Sequence, residues 1–134
     1  MINVGSISDQ TLAGVITTAT HGTGIRYGVI STHVLSVTLL LADGTRATCS
    51  RYQREDLFTA TICGLGSTGL ILSIALQVEP LFRLKELQYS QQFEEVVGSL
   101  DRVVNSAEHV RLWWFPAADT VRVSLSNRTQ DVSA

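Results

Sequence analysis

Apolar residues at Leu12, Val15, Ile16 and Ala19 fall at i, i+3, i+4 and i+7, which predicts a short helix with one buried face. Ser8 or Asp9 stands where its N-cap belongs. Residues 34–42 are apolar apart from Ser36 and Thr38 and predict a buried strand. Asp43-Gly44 then marks a hairpin, with 45–50 as the returning strand. Residues 56–63 predict a helix that turns Leu57, Phe58 and Thr61 or Ile62 inward. Over 70–78, Leu70, Leu72, Ile74, Leu76 and Val78 alternate with Ile71, Ser73, Ala75 and Gln77, the period of a strand. Beyond Glu79-Pro80 the pattern changes. Residues 83–89 predict a strand carrying charge, and 92–108 one amphipathic helix with Phe93, Val96, Val97, Leu100, Val103, Val104 and Ala107 on its stripe. Residues 109–115, ended by Pro116, and 120–125 predict two more strands, the latter with Val121, Val123 and Leu125 on one side. This β-α-β-β order predicts the first part of a second α+β unit.

Composition narrows the picture mainly by exclusion. With 134 residues, a net charge of −2 and only 16% charged residues, the chain carries no basic footprint for nucleic acid. No apolar run reaches the length of a membrane span, and the opening residues are not expected to act as a signal or transit peptide. Cys49 and Cys63 lack metal-ligand spacing and read as small buried hydrophobes. His21, His33 and His109 are scattered, so no metal site is expected. Trp113 and Trp114 read as core or interface residues, with pocket lining the other option. The sequence opens and closes like the interior of a fold, which suggests a piece of something longer.

Residues 5–24 form the most suggestive stretch. Gly5, Gly14, Gly22 and Gly24 let a backbone approach something flat or bulky, and hydroxyls at Ser6, Ser8, Thr11, Thr18 and Thr20 surround it. Such a surface suits phosphate and ribose, with help from a helix N-terminus, although the Asp9 carboxylate opposes a bare phosphate there. The plain alternative is a set of turns. Gly64-Leu-Gly66-Ser-Thr-Gly69 spells the dinucleotide fingerprint, but a helix precedes it and a strand follows, the reverse of the required order. A helix-to-strand connection is expected there, and a Rossmann fold is not.

Taken in order, Asn3-Val-Gly-Ser-Ile-Ser-Asp-Gln-Thr-Leu-Ala-Gly14, Thr20-His-Gly-Thr-Gly24, Ala42-Asp-Gly44, Asp56-Leu-Phe58, Gly64-Leu-Gly66 through Gly69-Leu-Ile71 and Leu76-Gln-Val-Glu-Pro80 resemble the sugar-1,4-lactone oxidases of the vanillyl-alcohol-oxidase flavoprotein family. The resemblance implies an α+β fold. Residues 1–80 would be the second subdomain of a PCMH-type FAD-binding domain, a mostly antiparallel sheet with flanking helices. Residues 81–134 would begin an α+β cap domain. It further implies FAD as cofactor, held in part by Gly5, Ser6, Ile7, Thr11, Gly14, Thr18, Gly22 and Gly24, with the main chain of Ile71 at the adenine end. The implied reaction takes hydride from a lactone of D-arabinono-1,4-lactone type to the flavin, with oxygen as acceptor. The family's catalytic residues and its flavin-attachment site match nothing in this chain, so no catalytic residue is assigned. Association with a mitochondrial or other intracellular membrane is implied in the same way. The competing expectation is a non-catalytic FAD- or nucleotide-binding remnant.

Overall fold

A computed structural model describes residues 3–131, which divide into two compact units. The first comprises Met1–Gly22 and Gly28–Glu79; the second comprises Thr23–Tyr27 and Pro80–Ala134.

In the first unit, helix α1 (Leu12–Thr17) leads through a 3-10 turn (Ile30–His33) into β1 (Val34–Leu40) and β2 (Arg46–Ser50). Helix α2 (Glu55–Thr61) and β3 (Leu70–Leu76) follow, and the sheet runs β2-β1-β3, antiparallel throughout. The expected hairpin is present. The Asp43 carboxylate accepts from both the amide and the hydroxyl of Thr45, which holds it below its ordinary pKa, and Gly44 takes the positive φ of +83° that the turn needs. Val15, Ile16, Ile30, Val34, Val37, Leu39, Cys49 and Phe58 form the core, with Leu57, Ile62, Ile71, Ile74 and Leu76 packed around it.

Strict alternation along 70–78 does not survive. Thr38 pairs with Ser73 but Leu39 with Ile71, so Leu72 bulges out of the ladder. A second shift, between Val34/Leu76 and Ser36/Ala75, leaves Leu35 unpaired. An extra residue moves every side chain beyond it to the opposite face. Both bulged leucines are exposed, while Ile71, Ile74 and Leu76 all pack against the core, although the alternation sets Ile71 apart from the other two. The expectation for the cysteines holds for Cys49, whose burial pushes its thiol pKa up, and fails for Cys63. Cys63 lies just past α2 at a φ of +58°, exposed, with its sulfur 3.2 Å from the Ser31 hydroxyl.

The second unit contains β4 (Arg83–Gln92), α3 (Phe93–Gly98), α4 (Leu100–Val104), β5 (His109–Phe115) and β6 (Thr120–Thr129). Its sheet order is β4-β6-β5, with β6 antiparallel to both neighbours. Strands β4 and β5 are therefore parallel to each other, joined by the helices and split by β6. Val96, Val103, Val121 and Val123 fill the space between helices and sheet. The single helix expected over 92–108 is two. Ser99 leaves the helical region (φ −127°, ψ 24°), and its hydroxyl bonds back to the Glu95 carbonyl at 2.8 Å. The break turns Val97 and Leu100 outward although the stripe includes them. Trp114 stacks on Phe93 at 4.6 Å on the helix side, whereas Trp113 takes the other face beneath the Arg111 guanidinium at 5.3 Å.

Candidate functional site

Gly5, Ser6 and Ile7 come together in the first unit. With Val4, Ser8, Gln10, Leu12, Val15 and Ile30 they line a groove of about 310 Å³. Its floor is apolar and its wall is main chain in an extended loop ahead of α1. Among the described residues, none of the amides of Val4, Gly5, Ser6 and Ile7 donates a hydrogen bond to protein. The groove therefore offers donors above an apolar surface that includes the exposed Ile7 and Leu12. Among the described residues, no charged side chain lines it.

The remaining expected residues have other tasks or other places. Thr11, not Ser8 or Asp9, caps α1: its hydroxyl accepts from the Gly14 amide at 3.1 Å. Helix α1 has only six residues, and the Thr11 hydroxyl already satisfies one of its first-turn amides, so it makes a poor anion site. Thr18 donates to the Gly14 carbonyl at 2.9 Å and lies 3.1 Å from the Thr20 hydroxyl. Gly22 is required by packing. A Cβ there would meet the Val4 carbonyl oxygen at 2.7 Å and collide with the Asn3 amide oxygen. Asn3 is buried and donates to the Gly28 carbonyl at 3.2 Å, so Gly22 and Asn3 together seat the start of the loop. Gly24 lies in the second unit, against the Tyr27 ring. Ile71 packs its side chain on the first core from β3.

Gly5 differs from Gly22 and Gly24. Its Cβ would meet nothing nearer than the His21 carbonyl at 3.4 Å, so the fold itself does not demand glycine there. A side chain is missing where main chain borders an open groove, as close approach of a ligand requires.

Sequence reading missed Val4, Gln10 and Ile30. Ile30 reaches the groove because its amide bonds to the Thr20 carbonyl at 2.8 Å, a closure that no local periodicity announces. The connection at 64–69 is as expected: Gly66 and Gly69 take φ of +76° and +148°, and Leu65 donates its amide to the Thr17 carbonyl at 3.1 Å. Helix α1 is thereby tied to the glycine connection.

Residues 1–50 match the FAD binding domain family, and residues 74–133 match the D-arabinono-1,4-lactone oxidase family. The groove lies wholly within the first match. The L-gulonolactone oxidase of Scyliorhinus torazame is 39% identical over 95% of this chain. The D-arabinono-1,4-lactone oxidase of Yarrowia lipolytica is 37% identical over 89% of it. The chain is a relative of the sugar-1,4-lactone oxidases. It spans 29% and 23% of the length of those two proteins. FAD is the cofactor that goes with the first match. A histidine-to-alanine variant of cholesterol oxidase from Brevibacterium sterolicum shares the fold, with a TM-score of 0.82 over 95% of this chain and 27% of that one, at 17% identity. Among the described residues no group of three or more His, Cys, Asp or Glu side chains is placed to hold a metal, and no helix is long and apolar enough to cross a membrane.

The groove fits part of a flavin dinucleotide. Unpaired amides suit phosphate or carbonyl oxygens, Gly5 permits close approach, and Ile7 and Leu12 suit a flat ring system.

Proposed function

We propose that this chain supplies one wall of an FAD site in an enzyme that oxidises a sugar 1,4-lactone of the D-arabinono type, with oxygen as acceptor. The observation that carries the reading is the groove at Val4, Gly5, Ser6 and Ile7, with its unpaired amides and dispensable Cβ space, inside the stretch that matches the FAD binding domain family. In this reading Gly5, Ser6 and Ile7 touch the cofactor. Thr11, Gly14, Thr18 and Gly22 hold the loop and α1 in shape, and the main chain of Ile71 provides a separate contact at the adenine end. When bound, FAD supplies the redox chemistry, taking two electrons from the lactone's alcohol carbon. The chain's own part is to bind and orient it: amides toward its polar oxygens, Ile7 and Leu12 excluding water from its rings. The match of 74–133 to the lactone oxidase family favours the lactone. Association with a mitochondrial or other intracellular membrane extends the same reading, and fractionation of cells that make the protein tests it.

A chimaera tests the enzyme reading. Residues 3–131 replace the matching stretch of mouse L-gulonolactone oxidase, which is 39% identical to this chain. The expected product retains flavin through purification and its flavin bleaches when lactone is added without oxygen. A folded, monodisperse chimaera lacking flavin refutes the FAD wall. Flavin retained but unbleached refutes the lactone assignment and leaves the FAD wall standing.

A further inference from the structure

A second concavity, of about 530 Å³, lies within the second unit and has no part in the proposed FAD wall. Arg26, Tyr27, Asn105, Ser106, Ala107, Glu108, Asn127 and Arg128 line it, brought from three separate stretches of chain. Glu108 organises it. One carboxylate oxygen accepts from the Tyr27 hydroxyl at 2.6 Å and from Arg128 Nε at 2.7 Å, and the largely buried His109 Nε2 stands 3.9 Å away. Although burial pushes the Glu108 carboxyl up, the bonds from Tyr27 and Arg128 and the nearby positive charge hold it below its ordinary value. The same bond to Glu108, reinforced by burial, raises the Tyr27 phenol. The carboxylate is thus spent on Arg128.

What remains uncommitted has a definite character. Arg26 has no hydrogen-bond or ion-pair partner among the described residues, and its guanidinium is the surplus charge of the cleft. Asn127 uses its carbonyl oxygen to accept from the Glu108 amide at 2.8 Å, leaving its NH2 free to donate. Asn105 uses its NH2 on the Asp101 carbonyl at 2.8 Å, leaving its oxygen free to accept. Ser106 donates to the Val103 carbonyl at 2.7 Å and keeps its oxygen lone pairs. One planar cation, one free donor and two free acceptors therefore face the same space. A guanidinium matches a carboxylate through two parallel bonds, and hydroxyl groups both donate and accept. A dianion is less suited, since it would meet the Glu108 carboxylate with only one unpaired cation to offset it.

We propose that this cleft binds a small hydroxylated carboxylate, with Arg26 holding the carboxylate and Asn127, Asn105 and Ser106 the hydroxyls. The test is a titration of the isotopically labelled chain, followed by amide chemical shifts, with gluconate, the uncharged polyol sorbitol, and inorganic phosphate as separate probes. Gluconate is expected to give saturable shifts at Arg26, Asn105, Ser106 and Asn127. Arg26→Gln is expected to weaken gluconate at least tenfold, and Arg26→Lys, which keeps the charge but not the fork, to fall between the two. Arg26 is exposed, so an unchanged spectrum away from the cleft confirms that the variants fold. Absence of saturable shifts at these residues overturns the proposal. So does sorbitol binding as tightly as gluconate, or phosphate binding as tightly, because the first removes the role of charge and the second that of the hydroxyls.

Discussion

Replacing Glu108 by Gln removes a charge while keeping the shape and the accepting oxygen. That oxygen receives two bonds in the native chain, from Tyr27 at 2.6 Å and Arg128 at 2.7 Å. Bonds to a charged group contribute about 1.5–3 kcal/mol and neutral ones about 0.5–1.5, so each bond loses about 1 kcal/mol. The Arg128 side chain is 37% exposed, and water recovers part of its share, which brings the total to about 1.5 kcal/mol. Both tryptophans, Trp113 and Trp114, lie on β5, so their emission during urea unfolding follows the second unit alone. With a slope of about 1 kcal/mol per molar urea for so small a unit, the midpoint at pH 7 moves down by about 1.5 M. The pH dependence is the sharper signature. The carboxyl is held below its ordinary pKa when folded. Its contribution is therefore complete above the unfolded-state value of about 4.3 and disappears as pH falls through the lower folded-state value. The native chain should lose stability as pH drops from 6 toward 3, and the Gln variant should lose less. Equal midpoints at pH 7, or parallel pH profiles, would refute the claim that Glu108 organises this cluster.

Four further outcomes follow from the first unit. Gly22→Ala drives a Cβ to 2.7 Å from the Val4 carbonyl and should cost about 1–3 kcal/mol in chemical denaturation. Gly5→Ala should leave that stability unchanged while lowering the flavin content of the chimaera. Thr11→Ala removes the cap of α1 and should cost about 1 kcal/mol, with faster hydrogen exchange at Val15 and Ile16. Of the two thiols, Cys63 should react with an aromatic disulfide reagent in the native state, while Cys49, buried and pushed up in pKa, should wait for unfolding.

Where the chain could be read directly, local rules were enough. The Asp43-Gly44 turn, the apolar run into β1 and the reversed glycine order at 64–69 each depend on neighbours in sequence, and each appears as expected. The failures share one physical origin. Leu72 alternates correctly but loses its partner because it is itself the extra residue of a bulge on β3, and bulges are set by pairing, which alternation does not encode. Ser99 interrupts no position of the apolar stripe, yet following Gly98 its hydroxyl competes for the Glu95 carbonyl and divides the helix. Ser8 and Asp9 are good caps by type, but Thr11 stands one residue before the helix and takes the task. In each case a short-range preference lost to a contact or boundary fixed in three dimensions.

The same distinction separates the two concavities. The groove at Val4, Gly5, Ser6 and Ile7 was legible because its polar donors belong to consecutive main chain, and glycine and small residues mark such chain in any sequence. The Glu108 cluster joins residues 81 and 20 positions apart, and Ile25-Arg-Tyr-Gly28 reads as an ordinary loop until Tyr27 meets Glu108. Glycine marks only what it permits, however. At 22 and 24 a neighbouring atom from the chain itself occupies the Cβ space, so those glycines are spent on the fold. At 5 that space is merely in ordinary contact, and the main chain beside it carries unpaired amides. The part of the small-residue stretch where open Cβ space and unpaired main-chain amides coincide is therefore the loop before α1.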